Sequence, residues 1–233
     1  MNSIKILVGC EESQVITKSF RNLGYEAYSC DLKEPSGGHP EWHLQMDVFE
    51  AIDLVKPKLG IFNPPCTFVT GSGVQWLSHP EDSDKPFDER RPHPKHPNRR
   101  ADMLESIEFV KALYNSDIPY VAIENPIGIL STRWRKPDQI IQPWMFGDLA
   151  TKGTCLWLKG LPKLIPAITE EPEMEYYTWN SKKDGKVKRM QKWMYDIITK
   201  SHSQRSELAS KTFKGIADAM ANQWIKTITD GRI

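Results

Sequence analysis

Apolar residues in this chain fall into short continuous blocks that alternate with stretches of helical period. Residues 4–9 form the first block, too short and too evenly apolar for a helix, and they predict a buried strand. Residues 13–23 then place Val15, Ile16, Phe20 and Leu23 on one face, which predicts a helix closed by Gly24. A second strand is predicted over 25–30, with Asp31 just past its end. Loop follows over 36–42, and a short helix over 49–55 after Met46-Asp47-Val48. Leu59, Ile61 and Phe62 mark the end of another buried strand. Residues 101–115 carry Met103, Leu104, Ile107, Val110, Ala112 and Leu113 at helical spacing. Residues 118–123 and 154–158 read as further strands. A last helix is predicted over 215–228, with Ile216, Met220 and Trp224 inward. Strands alternating with helices predict an α/β fold of Rossmann-like type with a largely parallel sheet.

Two segments break this rhythm. Residues 78–100 are prolines, charges and histidines without periodicity, which predicts a mobile loop, placed to act as a lid. Residues 163–205 lose regularity and gain basic and aromatic residues. They suggest a small insert between a core at 1–162 and a closing segment at 206–233.

The strand ends carry the chemistry. After Phe62 come Asn63-Pro64-Pro65-Cys66. Neither proline can donate to a sheet ladder, so the strand must stop and a stiff turn presents Cys66 at the carboxyl edge, where open α/β sheets place ligands. Such a thiol is either a nucleophile or a small buried hydrophobe. Asn63 is held extended by the proline that follows it. Residues 118–123 run into Glu124-Asn125-Pro126, which sets a carboxylate opposite the thiol; a carboxylate at the end of a buried strand is costly without a partner or a purpose. Lys152 precedes the strand at 154–158 and can reach the same cleft, whereas Cys155 within that strand reads as core.

The first strand–turn–helix–strand–acid unit has the order of a nucleoside-binding half, with Asp31 placed to accept from ribose hydroxyls. Its turn, Gly9-Cys10-Glu11-Glu12-Ser13, lacks the G-x-G-x-x-G fingerprint and puts Glu11 where a glycine would stand. That argues against a pyrophosphate and for a nucleoside ligand bearing positive charge, such as S-adenosylmethionine. Asp47 serves either as a contact to an adenine amino group or as a helix N-cap.

Composition changes this picture little: 39% hydrophobic and 26% charged residues in a chain of 233 are ordinary for a water-soluble protein. No apolar run approaches a membrane span. The first strand starts so early that a signal peptide is not expected, and four unpaired cysteines (10, 30, 66 and 155) point to a reducing cytoplasm. His79, His93 and His96 have no matching cysteine cluster, so no metal is expected. The charge is uneven, however. Residues 1–75 carry 6 Lys/Arg and 9 Asp/Glu, whereas residues 179–214 carry 10 and 3. The basic segment interleaves Tyr176, Tyr177, Trp179, Trp193 and Tyr195 with Lys182, Lys183, Lys186, Lys188 and Arg189. It reads either as a solvated face or as backbone contact with base stacking on nucleic acid.

Taken together, these motifs resemble the cytosine-C5 DNA methyltransferases, especially the short phage-type members. Pro64-Pro65-Cys66 resembles the family's nucleophile motif and Glu124-Asn125-Pro126 its Glu-Asn-Val motif. Residues 9–13 resemble a degenerate cofactor loop, and residues 211–217 the C-terminal motif that completes the cofactor pocket. The resemblance implies S-adenosyl-L-methionine held by Gly9, Cys10, Glu11, Ser13, Asp31, Leu32, Asp47, Val48, Asn63, Pro65, Thr212 and Gly215. It implies catalysis by Cys66 and Glu124 with Asn63 and Lys152. It also implies a monomer acting on double-stranded DNA, held by Arg99, Arg100, Lys182, Lys183, Lys186, Lys188 and Arg189.

The chain departs from the family in three places. Pro126 replaces valine, the cofactor loop lacks its glycines, and no Gln-x-Arg-x-Arg motif is present, so Lys152, Arg133 or Arg135 would have to contact cytosine O2. The alternatives are an amino-methyltransferase, which would carry an aromatic residue at position 66, and a non-catalytic binding relative.

Overall fold

The computed structural model describes residues 4–201 and 211–230. The ends of the expected insert and closing segment, 202–210 and 231–233, lie outside the described residues.

The first half builds β1 (Lys5–Gly9), α1 (Val15–Asn22), β2 (Glu26–Asp31), β3 (His43–Gln45), α2 (Val48–Val55) and β4 (Leu59–Phe62). The second half continues with α3 (Arg99–Tyr114), β5 (Tyr120–Pro126), α4 (Leu130–Arg133), β6 (Gln139–Ile141) and β7 (Thr154–Lys159). A separate two-stranded ribbon, β8 (Tyr176–Asn180) and β9 (Val187–Gln191), is followed by α5 (Lys192–Ile198) and α6 (Lys214–Asp230).

Seven strands form one sheet in the order β3-β2-β1-β4-β5-β7-β6. All its pairings are parallel except those of β7, which runs antiparallel to both β5 and β6. This is a mostly parallel α/β sheet compatible with a Rossmann-like fold. Strand alternation sorts the core into two layers. Ile6 and Val8 pack with Ile16 and Phe20 of α1 and with Ile216, Met220 and Trp224 of α6. Leu7 and Phe62 face the other way, onto Val48, Met103, Ile107 and Val110. Each such side chain, fully buried, contributes about 1.5–3 kcal/mol. Because α1 covers one face and α2 and α3 the other, the chain changes direction between β1 and β4. A crevice must open there at the carboxyl ends of the strands.

Residues 78–100, expected as an aperiodic mobile loop, have a built interior. Asp82 is 1% exposed and is held by Arg91 through Nε and Nη2 (2.9 Å each) and by Lys85 (2.9 Å). Trp76, His93 and His96 pack as an aromatic cluster with centroids 5.1–5.3 Å apart. Arg100 ties the segment to the body, donating to the carbonyls of Leu77 and Phe87 and to Ser78 Oγ at 2.9–3.0 Å. None of these contacts is periodic, so the pattern that predicts helices and strands does not register them.

Candidate active site

The tip of β4 is fixed from three sides. The Asn63 N–H donates to the Gly9 carbonyl (3.0 Å), joining β4 to β1. Asn125 Nδ2 donates to the Pro64 carbonyl (2.9 Å), joining it to β5. The N–H groups of Val69 and Thr70 both close on the Cys66 carbonyl (3.0 Å). Two prolines and these four bonds hold the Cys66 backbone while its thiol remains free and half-exposed.

Cys66 and Thr67 line two cavities at once. One, of about 530 Å³, is bounded by the turn after β1 (Cys10, Glu11, Glu12, Ser13), by Asp31, Lys33, Glu34 and Ser36 after β2, by Asn63 and Pro65, and by Lys211 and Thr212 ahead of α6. The other, of about 660 Å³, is bounded by Thr70, Ser72, Gly73, Trp76, His96 and Arg99. The thiol therefore stands on the partition between a pocket built by the sheet switch point and a pocket built by residues 67–99.

The β4–β5 register pairs Phe62 with Ile123, so Glu124 follows directly beside Asn63. Burial raises the pKa of Glu124, and the charge of Lys152 opposes the rise. Burial raises that of Cys66 as well, and the carboxylate of Glu124 adds to it while Lys152 lowers it. Cys66 thus lies in the field of both Glu124 and Lys152, and burial together with Glu124 favours the protonated thiol. The Lys152 ammonium lies 5.9 Å from the Phe213 ring centroid, and Phe213 meets Trp193 edge-on. Gln191 Oε1 accepts from the Thr151 N–H and from Trp193 Nε1, which fixes the backbone beside Lys152. Cys155, on β7 opposite Asn125, is buried in the core, with its thiol pushed up to about 11.

The turn after β1 explains its missing glycines. Glu11 is 3% exposed and turned onto the first turn of α1. It accepts from the N–H groups of Ile16 (2.6 Å) and Thr17 (3.2 Å) and from the Thr17 hydroxyl (2.7 Å). The N-terminus of α1, where a pyrophosphate would sit, is thus filled by the chain's own carboxylate. Burial lifts that carboxylate to about 7 in spite of the hydrogen bonds. Gln14, fully buried in a left-handed conformation (φ 58°), bonds Ser29 and both backbone groups of His39, so it braces the turn against the loop after β2. Burial, reinforced by Asp31, pushes Cys10 up to about 12.

The remaining expected ligands divide. Asn63, Pro65, Asp31, Ser13, Cys10, Glu11 and Thr212 line the first cavity, whereas Gly9, Leu32, Asp47, Val48 and Gly215 do not. A Cβ on Gly9 would stand 2.6 Å from the Phe62 ring and from Val48 Cγ2, and Val48 itself is core. Asp47 caps α2 by accepting from the Phe49 N–H (2.8 Å). Leu32 is 73% exposed. Gly215 admits the Phe146 carbonyl to within 2.1 Å of where its Cβ would be, and its N–H donates to Asp148.

Of the arginines, Arg99 borders the second cavity, with Nη2 on the Thr67 carbonyl (2.8 Å) and its buried Nε unpartnered. Arg100 is engaged with the loop, as described above. Arg133 covers Phe87 and meets Asp88; Arg135 bonds Asp138 and Tyr114. Neither Arg133 nor Arg135 lines either cavity, and Lys188 pairs with Asp184 (3.6 Å). The hydroxyl and aromatic lining of the second cavity (Thr70, Ser72, Trp76, His96) was missed, since it comes from a segment without pattern.

No protein-family model matches the chain, and no curated protein matches it significantly. Among the described residues no group of three His, Cys, Asp or Glu could hold a metal ion, and no helix is long and apolar enough to cross a membrane.

Proposed function

We propose that the chain is an S-adenosyl-L-methionine-dependent DNA methyltransferase that acts at C5 of an extruded cytosine. The observation that carries this reading is the position of Cys66 on the wall between two cavities, within the charge field of Glu124 and Lys152.

The first cavity suits a cationic nucleoside. Asn63 lines it with its Oδ1 buried and without a protein partner, Asp31, Glu12 and Glu34 supply negative charge against Lys33 and Lys211, and Glu11 closes the N-terminus of α1 to anions. When bound, S-adenosyl-L-methionine supplies an electrophilic methyl group. The second cavity takes the pyrimidine, which must leave the stack because its ring face is closed inside a duplex.

In this reading the half-exposed Cys66 thiol passes its proton to solvent and its sulfur adds to C6 of the ring. A soft thiolate both adds and later leaves, which a serine hydroxyl does not do readily. Addition places charge on the ring at N3 and O2. Burial raises the pKa of Glu124, which favours the protonated form that can give a proton to N3. Lys152 stabilises the thiolate that leaves at the end, once water in the cleft has taken the C5 proton. Arg99 is the guanidinium bordering the pyrimidine cavity and supplies positive charge beside the base. Bisulfite sequencing of duplex DNA incubated with the chain and S-adenosyl-L-methionine tests the reading. Protected cytosines at a defined site are expected, and none with Cys66→Ser. Full conversion of every cytosine by the unaltered chain rejects it.

A further inference from the structure

We infer that one face of the β8–β9 ribbon is the base-reading surface of this protein, with Thr178, Asn180 and Arg189 reading base edges in the major groove. The inference rests on the proposed DNA-methyltransferase function and assigns its sequence specificity.

Cross-strand partners in an antiparallel pair share a face. Here Tyr177 pairs with Met190 and Trp179 with Lys188, while Tyr176 pairs with Gln191, Thr178 with Arg189 and Asn180 with Val187. The first set is the face turned toward α5. Tyr177 stacks on Tyr195 of α5 at 3.7 Å and lies 6.1 Å from Trp179. The second set is exposed at Thr178, Asn180, Val187 and Arg189.

That outer face starts at the active site. Gln191, at its base, bonds the Thr151 N–H one residue before Lys152. From there the polar and apolar groups run outward to a tip that carries Lys182, Lys183 and Lys186, all exposed, so the charge there complements a polyanion. The Arg189 guanidinium lies over the Tyr176 ring at 4.6 Å, which holds its donor fork in a defined plane.

These are the side chains that the major groove calls for. An arginine fork fits guanine O6 and N7, an asparagine amide fits adenine N6 and N7, and an exposed valine or threonine methyl fits the thymine methyl. The groove admits a two-stranded ribbon, and five residues of strand span about 17 Å, or about five base-pair steps. The lysines at the tip would meet phosphates and carry no sequence information.

The experiment is methylation of a randomised duplex library followed by bisulfite sequencing. It uses the unaltered chain, Asn180→Ala, Arg189→Lys, and a triple variant with Lys182, Lys183 and Lys186 each changed to Ser. Arg189→Lys keeps the charge and removes the fork, so it should relax one position of the site by about 10- to 100-fold with the salt dependence unchanged. Asn180→Ala should relax a different position. The triple variant should slow all sites alike and flatten the slope of log K against log salt by about 2–3. A site left unaltered by both Asn180→Ala and Arg189→Lys overturns the inference, while the methyltransferase reading stands. If the unaltered chain methylates nothing, that reading falls, and anisotropy of a labelled duplex decides the surface. Weaker binding by the triple variant and by Arg189→Lys supports it, and equal binding by all overturns it. Unchanged thermal melting shows that each variant is folded.

Discussion

Asn125 at the end of β5 donates its side-chain amide to the Pro64 carbonyl at 2.9 Å and is 1% exposed. This one bond ties the strand tip that carries Glu124 to the turn that carries Cys66. Removing the donor leaves a buried carbonyl unpaired and frees the turn. Asn125→Ala is therefore expected to cost about 1–3 kcal/mol in urea unfolding. Methyl transfer should fall further than the loss of folded protein explains, because a displacement of about 1 Å at a reacting atom can cost about 100-fold.

The charges around Cys66 have opposite signs, and so do the expected effects of removing them. With Glu124→Gln the thiol loses a carboxylate that disfavours its ionisation, so the midpoint of iodoacetamide alkylation against pH should move down. With Lys152→Met it should move up. Methyl transfer should nevertheless fall by about 100-fold or more with Glu124→Gln, since the proton for the ring is lost. A thiol more reactive to alkylation yet less active on DNA separates a catalytic carboxyl group from one that merely packs.

Glu11 makes stability depend on pH in an unusual direction. Its folded pKa of about 7 lies above the ordinary 4.5, so the folded state favours the protonated acid. The stability this confers is complete below about 4.5 and is lost as pH rises through about 7. A difference of about 2.5 pKa units corresponds to about 3 kcal/mol. Between pH 4 and pH 8 the unaltered chain should lose about that much more stability than Glu11→Gln. Parallel urea-stability curves for the two proteins would contradict this.

Two glycines separate space from conformation. A Cβ at position 215 would lie 2.1 Å from a backbone oxygen of Phe146, so Gly215→Ala must push α6 off its seat. A loss of about 1–3 kcal/mol is expected by thermal melting. At Gly71 the nearest atom to the same Cβ is 3.6 Å away, and Gly71→Ala should cost less than about 0.5 kcal/mol.

Arg99 and Arg100 are adjacent in sequence but differ in role. Loss of three loop hydrogen bonds in Arg100→Ala should expose residues 78–98 to limited proteolysis. Arg99→Ala should leave that digestion pattern unchanged and weaken methyl transfer.

Much of the scaffold was legible in the sequence because it is continuous. The apolar runs of β1, β4 and β5 and the period of α3 carry their own signal, and the prolines at 64 and 65 mark where β4 must stop. The three-residue strands His43–Gln45 and Gln139–Ile141 are too short to show a period and take their place from their neighbours. The order within residues 78–100 comes from Asp82 meeting Arg91 and from Arg100 meeting Phe87, pairings between side chains that no local pattern announces. The turn after β1 shows the same limit. Its sequence shows that a carboxylate is present at position 11, but only the fold shows it bonded to the first turn of α1. Likewise the glycine at 215 looks like a ligand-facing residue until the Phe146 carbonyl is seen against it.

The most direct test of the central claim is incubation of the chain with S-adenosyl-L-methionine and duplex DNA carrying 5-fluorocytosine, read by denaturing electrophoresis and intact mass. Fluorine at C5 cannot leave as a proton does, so the sulfur stays bound to C6. A DNA-linked species that survives denaturation is predicted for the unaltered chain and absent for Cys66→Ser. If folded, DNA-binding protein yields no such species, or if Cys66→Ser yields it equally, the residue at 66 is not the nucleophile and the mechanism set out above is wrong.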